Sequence, residues 1–234
     1  MLVALFFLFR AGFLKWDFHR KHVNHLVKYG VPLIPHVLGS VIIMYTDKLF
    51  ITHYKGLSEN GIYSVGFMVG QVIGLLQTSF NQAWVPYVFN GLKANDPAVK
   101  SRIVHWTYIY ILGILAVTLL FYFCMPVVFY FLGKAYQDGI SIVLWIALGF
   151  AFNGMYKMVS VYFFYTERTI FIAGISLFTA VVNILFAWYM VPRYGYTGAA
   201  IATMCAFFLQ FILTWIWSTK VISMPWNNWK IWKK

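Results

Sequence analysis

Charged and amide side chains of the kinds that bind ions or polar ligands lie inside long apolar runs of this 234-residue sequence. They are the neighbouring pair Asp47 and Lys48, the cation Lys157, and the amides Asn81, Gln82 and Asn153. Such groups are costly in an apolar environment, so they generally face protein or a water-filled cavity and mark pathways for ions or polar substrates. We therefore predict a polar cavity lined by the lysine at 157 and the three amides. The alternatives are snorkelling for the lysine and contacts between helices for the amides.

The pair Asp47 and Lys48 has a different predicted role. Side chains at adjacent helical positions point in different directions, so these two cannot simply neutralise each other. The long side chain of Lys48 can reach water from near the end of a span, whereas the shorter Asp47 needs a partner inside the bundle. We interpret the two residues as a candidate gate or ion-coupling site, with Asp47 as the more important member.

The sequence offers little support for catalysis. Its six acidic residues are scattered, and it has no nucleophile elbow, phosphate-binding loop, paired carboxylates or metal motif. His19, His22 and His25 repeat every three residues, but Arg20 and Lys21 among them repel cations. We predict that this basic segment faces lipid head groups, and that the chain holds no metal and no cofactor. An enzyme that uses general acid–base chemistry is therefore disfavoured.

Composition identifies the environment of these residues. Hydrophobic residues make up 62% of the chain and charged residues 10%, against about 45–50% and about 25% in soluble domains. This excludes a disordered chain, a soluble globular domain and a disulfide-stapled secreted module. Six segments are long enough to cross a bilayer: 31–52, 61–90, 104–132, 140–165, 169–191 and 198–218. The predicted fold is an all-α membrane protein with a six-helix bundle at 31–218.

The flanking segments complete the predicted organisation. Residues 1–14 are apolar but too short to span, so we expect the end of a transmembrane helix there. A basic cytoplasmic connector follows at 15–30, and a basic, tryptophan-rich cytoplasmic tail occupies 219–234. Basic residues also alternate along the chain: twelve lie in 15–30, 91–103, 166–168 and the tail, and three in the intervening loops. This alternation predicts a cytoplasmic-membrane protein with both ends in the cytoplasm, and it explains the net charge of +12 without nucleic acid.

Length and glycine spacing add two expectations about packing. A helix over 61–90 would be about 45 Å long, longer than the roughly 30 Å hydrocarbon core, so it must tilt, break or project, and Pro86 is a natural kink. Gly66, Gly70 and Gly74 repeat every four residues, and Gly198 begins a similar small-residue pattern in the last span. We predict close helix packing at these glycines, with a sliding surface between moving helices as the alternative.

Five motifs, in order, resemble the C-terminal half of Wzx-type oligosaccharide flippases, and the resemblance covers residues 26–218. They are YGVPLIP at 29–35 followed by DKLF at 47–50, GIYS at 61–64, FNQAWVP at 80–86, LGKAY at 132–136, and PRYGYTGAAIAT at 192–203. These flippases are polysaccharide biosynthesis proteins of the multidrug/oligosaccharidyl-lipid/polysaccharide exporter superfamily. The family commonly has Asp-Arg where this chain has Asp47 and Lys48, and lysine lacks the fork with which arginine holds phosphate.

The resemblance implies half of a two-bundle transporter with a central cavity. The expected activity is alternating-access translocation of a polyprenyl-diphosphate-linked oligosaccharide for cell-surface polysaccharide, such as O-antigen. The expected partners are membrane lipid, that substrate, and either a missing N-terminal half or a second copy of the chain. The alternatives are a cation or drug exporter of the same superfamily, a membrane-embedded glycosyltransferase or ligase, and a subunit that does not itself transport.

Overall fold

The computed structural model describes residues 20–226, apart from the side chains of residues 134 and 135, and this part of the chain is built from helices. The segment 1–14, His19 and residues 227–234 of the predicted tail lie outside the described residues. In chain order the helices are α1 (Arg20–Gly30), α2 (Leu33–Lys55), α3 (Leu57–Gly70), α4 (Val72–Ala94), α5 (Pro97–Phe123), α6 (Met125–Leu132), a 3₁₀ turn (Lys134–Gly139), α7 (Ile140–Tyr165) and α8 (Thr169–Val221). The predicted all-α membrane fold is confirmed.

The second predicted span is divided at Gln71 into α3 and α4. We call this position the break, and Gln71 itself keeps α-helical backbone angles and a hydrogen bond to the carbonyl of Phe67. Pro86, which the sequence suggested as the kink, lies inside α4. The glycine stripe brackets the break. A Cβ atom on Gly66, Gly70 or Gly74 would come within 2.7–2.8 Å of side-chain atoms of α7. Small residues there let both α3 and α4 lie directly against α7.

Helix α8 is a hairpin. Its 53 residues would extend about 80 Å if straight, but Gly195 has non-helical backbone angles, φ 58° and ψ −142°. A Cβ atom on Gly198 would lie 2.6 Å from the carbonyl oxygen of Met190, so the chain has doubled back there. We call residues 169–194 arm α8a and residues 196–221 arm α8b.

The hairpin explains why six predicted spans correspond to five long helical stretches in the structure. Within the described residues, five helical stretches are long and apolar enough to cross a membrane. The fifth contains both arms of α8, so the fifth and sixth predicted spans form one bent element instead of two separate helices. Glycine at the bend is required because a residue with a side chain rarely adopts positive φ.

Helix α7 is the most buried of the long helices, and it organises the bundle. Helices α3 and α4 run along it in one constant register: Gly66 packs on Ile142, Gly74 on Phe150, and Gln77 hydrogen-bonds to Asn153. Each pair is separated by 76 positions, so these helices run parallel to α7. Parallel helices separated by one intervening pass are what an up-and-down bundle requires.

Candidate functional site

The helices that carry the predicted cavity residues and Asp47 pack in two groups. Helix α2 packs on α3 and on both arms of α8, whereas α4, beyond the break at Gln71, packs on α7 and α5. In the described part of the chain, α2 and α4 have no extensive contact with each other. Side chains of α7 contact both of them, at His36 of α2 and at Trp84 of α4. We call the space between α2 and α4 the cleft, and Asn153 and Lys157 of α7 remain its predicted lining residues.

Lys157 lies on α7 between residues that contact α2 and α4. The hydroxyl of the preceding residue, Tyr156, lies 3.5 Å from Nε2 of His36 on α2. The backbone carbonyl of the following residue, Met158, accepts a hydrogen bond of 3.2 Å from the indole of Trp84 on α4. Lys157 is half-buried, and its side chain has no hydrogen bond or ion pair to the described residues.

The amides of the prediction are placed differently from one another. Asn153 lies one turn before Lys157, and its carbonyl accepts a 3.2 Å hydrogen bond from Nε2 of Gln77 on α4. Asn81 is half-buried one turn after Gln77, and Gln82 beside it is exposed. Gln77 was not among the predicted site residues. Its buried Oε1 has no hydrogen-bond partner among the described residues, so Gln77 adds a polar group beside Asn153.

Asp47 lies at the centre of a second polar site, which we call the carboxylate cluster: Asp47, Tyr63, Asn183 and Thr203. Asp47 is 0% exposed. Its Oδ2 accepts a 2.5 Å hydrogen bond from the hydroxyl of Tyr63 on α3, and a second from the hydroxyl of Thr203 on α8b. Asn183 on α8a donates to the same threonine oxygen at 3.5 Å. The cluster therefore joins α2, α3 and both arms of α8.

Two buried oxygens of the carboxylate cluster, Oδ1 of Asp47 and Oδ1 of Asn183, have no hydrogen-bond partner among the described residues. Lys48 does not supply one. Its Nζ lies 5.2 Å from the centre of the Phe67 ring, a cation–π contact, and it forms no ion pair with the carboxylate. Of the two residues, only Asp47 is hydrogen-bonded within the cluster.

A third polar site, the histidine cluster, comprises His36, Tyr156, Ser176 and Gln210. Nδ1 of His36 lies 2.6 Å from the hydroxyl of Ser176 on α8a, which also accepts a 3.0 Å hydrogen bond from Nε2 of Gln210 on α8b. None of these residues was among those predicted from the sequence. Helical spacing could have indicated His36, because it precedes Asp47 by eleven positions and therefore lies on the same face of α2.

The three sites occur in a chain that is similar to known membrane proteins. The family model described as "Polysaccharide biosynthesis protein" matches residues 1–92. Two curated relatives come from Haemophilus influenzae. "Lsg locus putative protein 1" is 25% identical over 100 residues, which are 41% of this chain and 25% of that protein. An "Uncharacterized membrane protein" is 26% identical over 161 residues, 68% of this chain and 39% of that protein.

The fold is similar to that of a solved transporter. The Vibrio cholerae MATE transporter VcmN in its bent form superposes with a TM-score of 0.74 at 17% identity, over 89% of this chain and 49% of that one. A mutant of the same transporter, with an aspartate replaced by asparagine, gives 0.72 at 18% identity, over 90% and 50%. The chain thus spans half the length of these transporters, and about a quarter to two fifths of its curated relatives. The predicted resemblance to polysaccharide biosynthesis proteins is confirmed, and the fold is similar to that of half a MATE transporter.

Proposed function

We propose that this chain forms one bundle of a flippase that moves a polyprenyl-diphosphate-linked oligosaccharide across the cytoplasmic membrane by alternating access. The observation that carries the proposal is that Lys157 is half-buried on α7 without a side-chain partner among the described residues, one turn after the hydrogen-bonded amide of Asn153. A membrane cation without a protein partner is suited to a mobile anion, here the diphosphate. The amides of Asn153 and Asn81 are suited to sugar hydroxyls, because they both donate and accept hydrogen bonds.

The cleft suits a substrate with one polar and one apolar end. The head group must be shielded from hydrocarbon while the polyprenyl tail stays in the bilayer, which a laterally open gap between two helices allows. The open side of the cleft, between α2 and α4, is also where we propose that a second bundle packs. That bundle would come from an N-terminal half or from a second copy of this chain. Both ends of the chain would face the cytoplasm.

We further propose that Asp47 couples transport to an ion. Binding of a proton or a monovalent cation would change the charge at the point where α2, α3 and the α8 hairpin meet. An ion shifts a conformational equilibrium only through a difference in its affinity for the two states. The carboxylate cluster provides such a difference if one state separates Tyr63 or Thr203 from Asp47.

The test is translocation of a lipid-linked oligosaccharide in proteoliposomes that contain the complete transporter. Lys157→Met should reduce transport and head-group binding strongly, and Lys157→Arg should retain most of both because it keeps the charge. Lys93→Gln, which removes an exposed charge at the end of α4, is the matched control. Unchanged transport by Lys157→Met and Asn81→Ala would overturn the assignment of the cleft.

A second candidate, a cation or drug exporter, is favoured by the MATE-type fold together with the buried Asp47. An exporter of this kind predicts that transport depends on the two charged residues, Asp47 and Lys157, in the opposite way. Efflux of an organic cation such as ethidium would require Asp47 and would be insensitive to Lys157→Met. Measuring both substrates with both variants distinguishes the two functions.

A further inference from the structure

A groove runs between the two arms of α8 on the side that faces away from α2. Its floor includes Phe171, Gly174 and Phe178 of α8a, and Leu213 and Trp217 of α8b, around a volume of about 320 Å³. The residues of α8a that meet α2, such as Ser176, lie on the opposite face of that arm. The groove is therefore separate from the cleft, and the proposed function does not use it.

The dimensions of the groove match one leaflet. Its residues on α8a extend from 170 to 178, about 13 Å of helix, against roughly 15 Å for half of the hydrocarbon core. All the lining side chains are apolar. A Cβ atom on Gly174 would meet nothing within 4 Å, so the floor is open at this glycine. These features fit a single hydrocarbon chain.

One end of the groove is cationic. Nζ of Lys220 lies 5.2 Å from the centre of the Trp217 ring, and that ring packs on Phe171 at 5.4 Å between centroids. The register that pairs residues 171 and 217 places Arg168 opposite Lys220 at the same end of the hairpin. Both cations are exposed. The neighbouring acid, Glu167, lies 3.5 Å from Nε2 of His25 on α1.

We propose that this groove binds an anionic phospholipid, with one acyl chain between the arms of α8 and the phosphate at Lys220 and Arg168. The apolar floor provides affinity for any lipid tail, and the two cations provide preference for a negative head group. A bound lipid would fix the spacing of the arms at the end of the hairpin opposite Gly195. It would thus be a structural ligand of the α2–α8 unit and not the transported substrate.

The experiment uses the full chain in nanodiscs doped with phosphatidylglycerol that carries a photoactivatable group in its acyl chain. Adducts are mapped by mass spectrometry, with phosphatidylcholine of the same chain as the comparison probe. We expect phosphatidylglycerol adducts to concentrate at residues 170–178 and 213–217. Lys220→Gln and Arg168→Gln should each lower groove labelling by phosphatidylglycerol about fivefold and leave labelling by phosphatidylcholine unchanged.

Gly174→Leu fills the groove and should suppress labelling by both lipids. Gly113→Leu on α5 is the matched control, because a Cβ atom there also meets nothing within 4 Å and the glycine is exposed like Gly174. Equal labelling by the two lipids, unaffected by the glutamine variants, would overturn the site. Displacement of the probe by a polyprenyl phosphate, but not by excess phosphatidylglycerol, would overturn the assignment of its occupant.

Discussion

The carboxylate cluster and the histidine cluster are built to the same plan from different chemistry. Each connects one titratable residue of α2 to a tyrosine and to both arms of α8. Each also contains an amide whose buried carbonyl oxygen lacks a hydrogen-bond partner among the described residues, on Asn183 in one and Gln210 in the other. Between the two lies an apolar layer that includes Ile43 and Phe207.

The difference lies in the titratable group. An ionised Asp47 only accepts hydrogen bonds, and two hydroxyls converge on one of its oxygens while the other lacks a partner among the described residues. His36 is half-buried, and as a neutral ring it donates through one nitrogen and accepts through the other. The ring of His36 can thus form its hydrogen bonds without a charge, whereas an ionised Asp47 needs a counter-ion or a proton. The comparison predicts that ion-dependent steps belong to Asp47 and that His36 provides a fixed contact.

The variant Asp47→Asn tests the distinction between the two clusters most directly. We expect transport to fall about 10- to 100-fold, because hydrogen bonds to a charged acceptor contribute about 1.5–3 kcal/mol. The variant keeps the shape of the side chain, so it should still fold and bind substrate. The measurement is the initial transport rate in proteoliposomes, with His36→Gln in parallel. Equal losses in the two variants would contradict the distinction between the clusters.

Removing the hydroxyl donors should show how the carboxylate is held. Tyr63→Phe and Thr203→Val should each destabilise the fold by about 1.5–3 kcal/mol, since each removes one of the two donors to Oδ2 of Asp47. Thermal unfolding in detergent measures both variants. A double-mutant cycle should show strong non-additivity because both groups bind the same oxygen. Simple additivity would indicate that the two hydroxyls act independently.

The spacing between the clusters depends on a close approach of α2 to α8a. A Cβ atom on Gly39 would lie 2.7 Å from the backbone oxygen of Ser176, so Gly39→Ala must separate the helices. We expect a loss of about 1–3 kcal/mol in unfolding free energy. Gly174→Ala on the open face of the same arm is the control and should change stability by less than about 0.5 kcal/mol. Similar behaviour of the two variants would show that the contact is not tight.

The smallest expected effect is that of Gln210→Leu in the histidine cluster. The change removes one hydrogen bond to Ser176, which lowers the unfolding free energy by about 1 kcal/mol. It also removes a buried carbonyl that has no partner among the described residues, which raises the unfolding free energy by a similar amount. Stability should therefore change by less than about 1 kcal/mol, and transport should persist. A large loss of either would mean that the histidine cluster has a role comparable to that of the carboxylate cluster.

The charged residues inside the spans could be predicted from the sequence, but the residues that contact them could not. Asp47 and Lys157 were identifiable because an ionisable side chain inside an apolar run is rare and costly. Tyr63 and Thr203 were not, because hydroxyl residues are common in membrane helices, and Thr203 is 156 positions from Asp47. His36 was passed over for the same reason, since Ser176 is 140 positions away. Only the packing of α2 across the hairpin brings these residues together.

The break at Gln71 shows a similar limit for the fold. The length of segment 61–90 predicted some interruption, and proline was the visible candidate. The interruption instead lies at Gln71, among the glycines that pack against α7. Its location therefore follows the contacts with α7 and not the proline. The bend at 195 was more readable, because glycine shortly after proline is a strong signal for a turn.

The doubled-back shape of α8 lets α2 contact both arms at two depths, through Asp47 and through His36 about three turns away. Because the two arms belong to one hairpin, a shift of α2 along α8 changes both clusters together. Tyr156, whose hydroxyl lies 3.5 Å from His36, precedes Lys157 on α7. Under the proposed function, an ion bound at Asp47 would act on the head-group site through the packing of α2, without any side chain crossing the membrane.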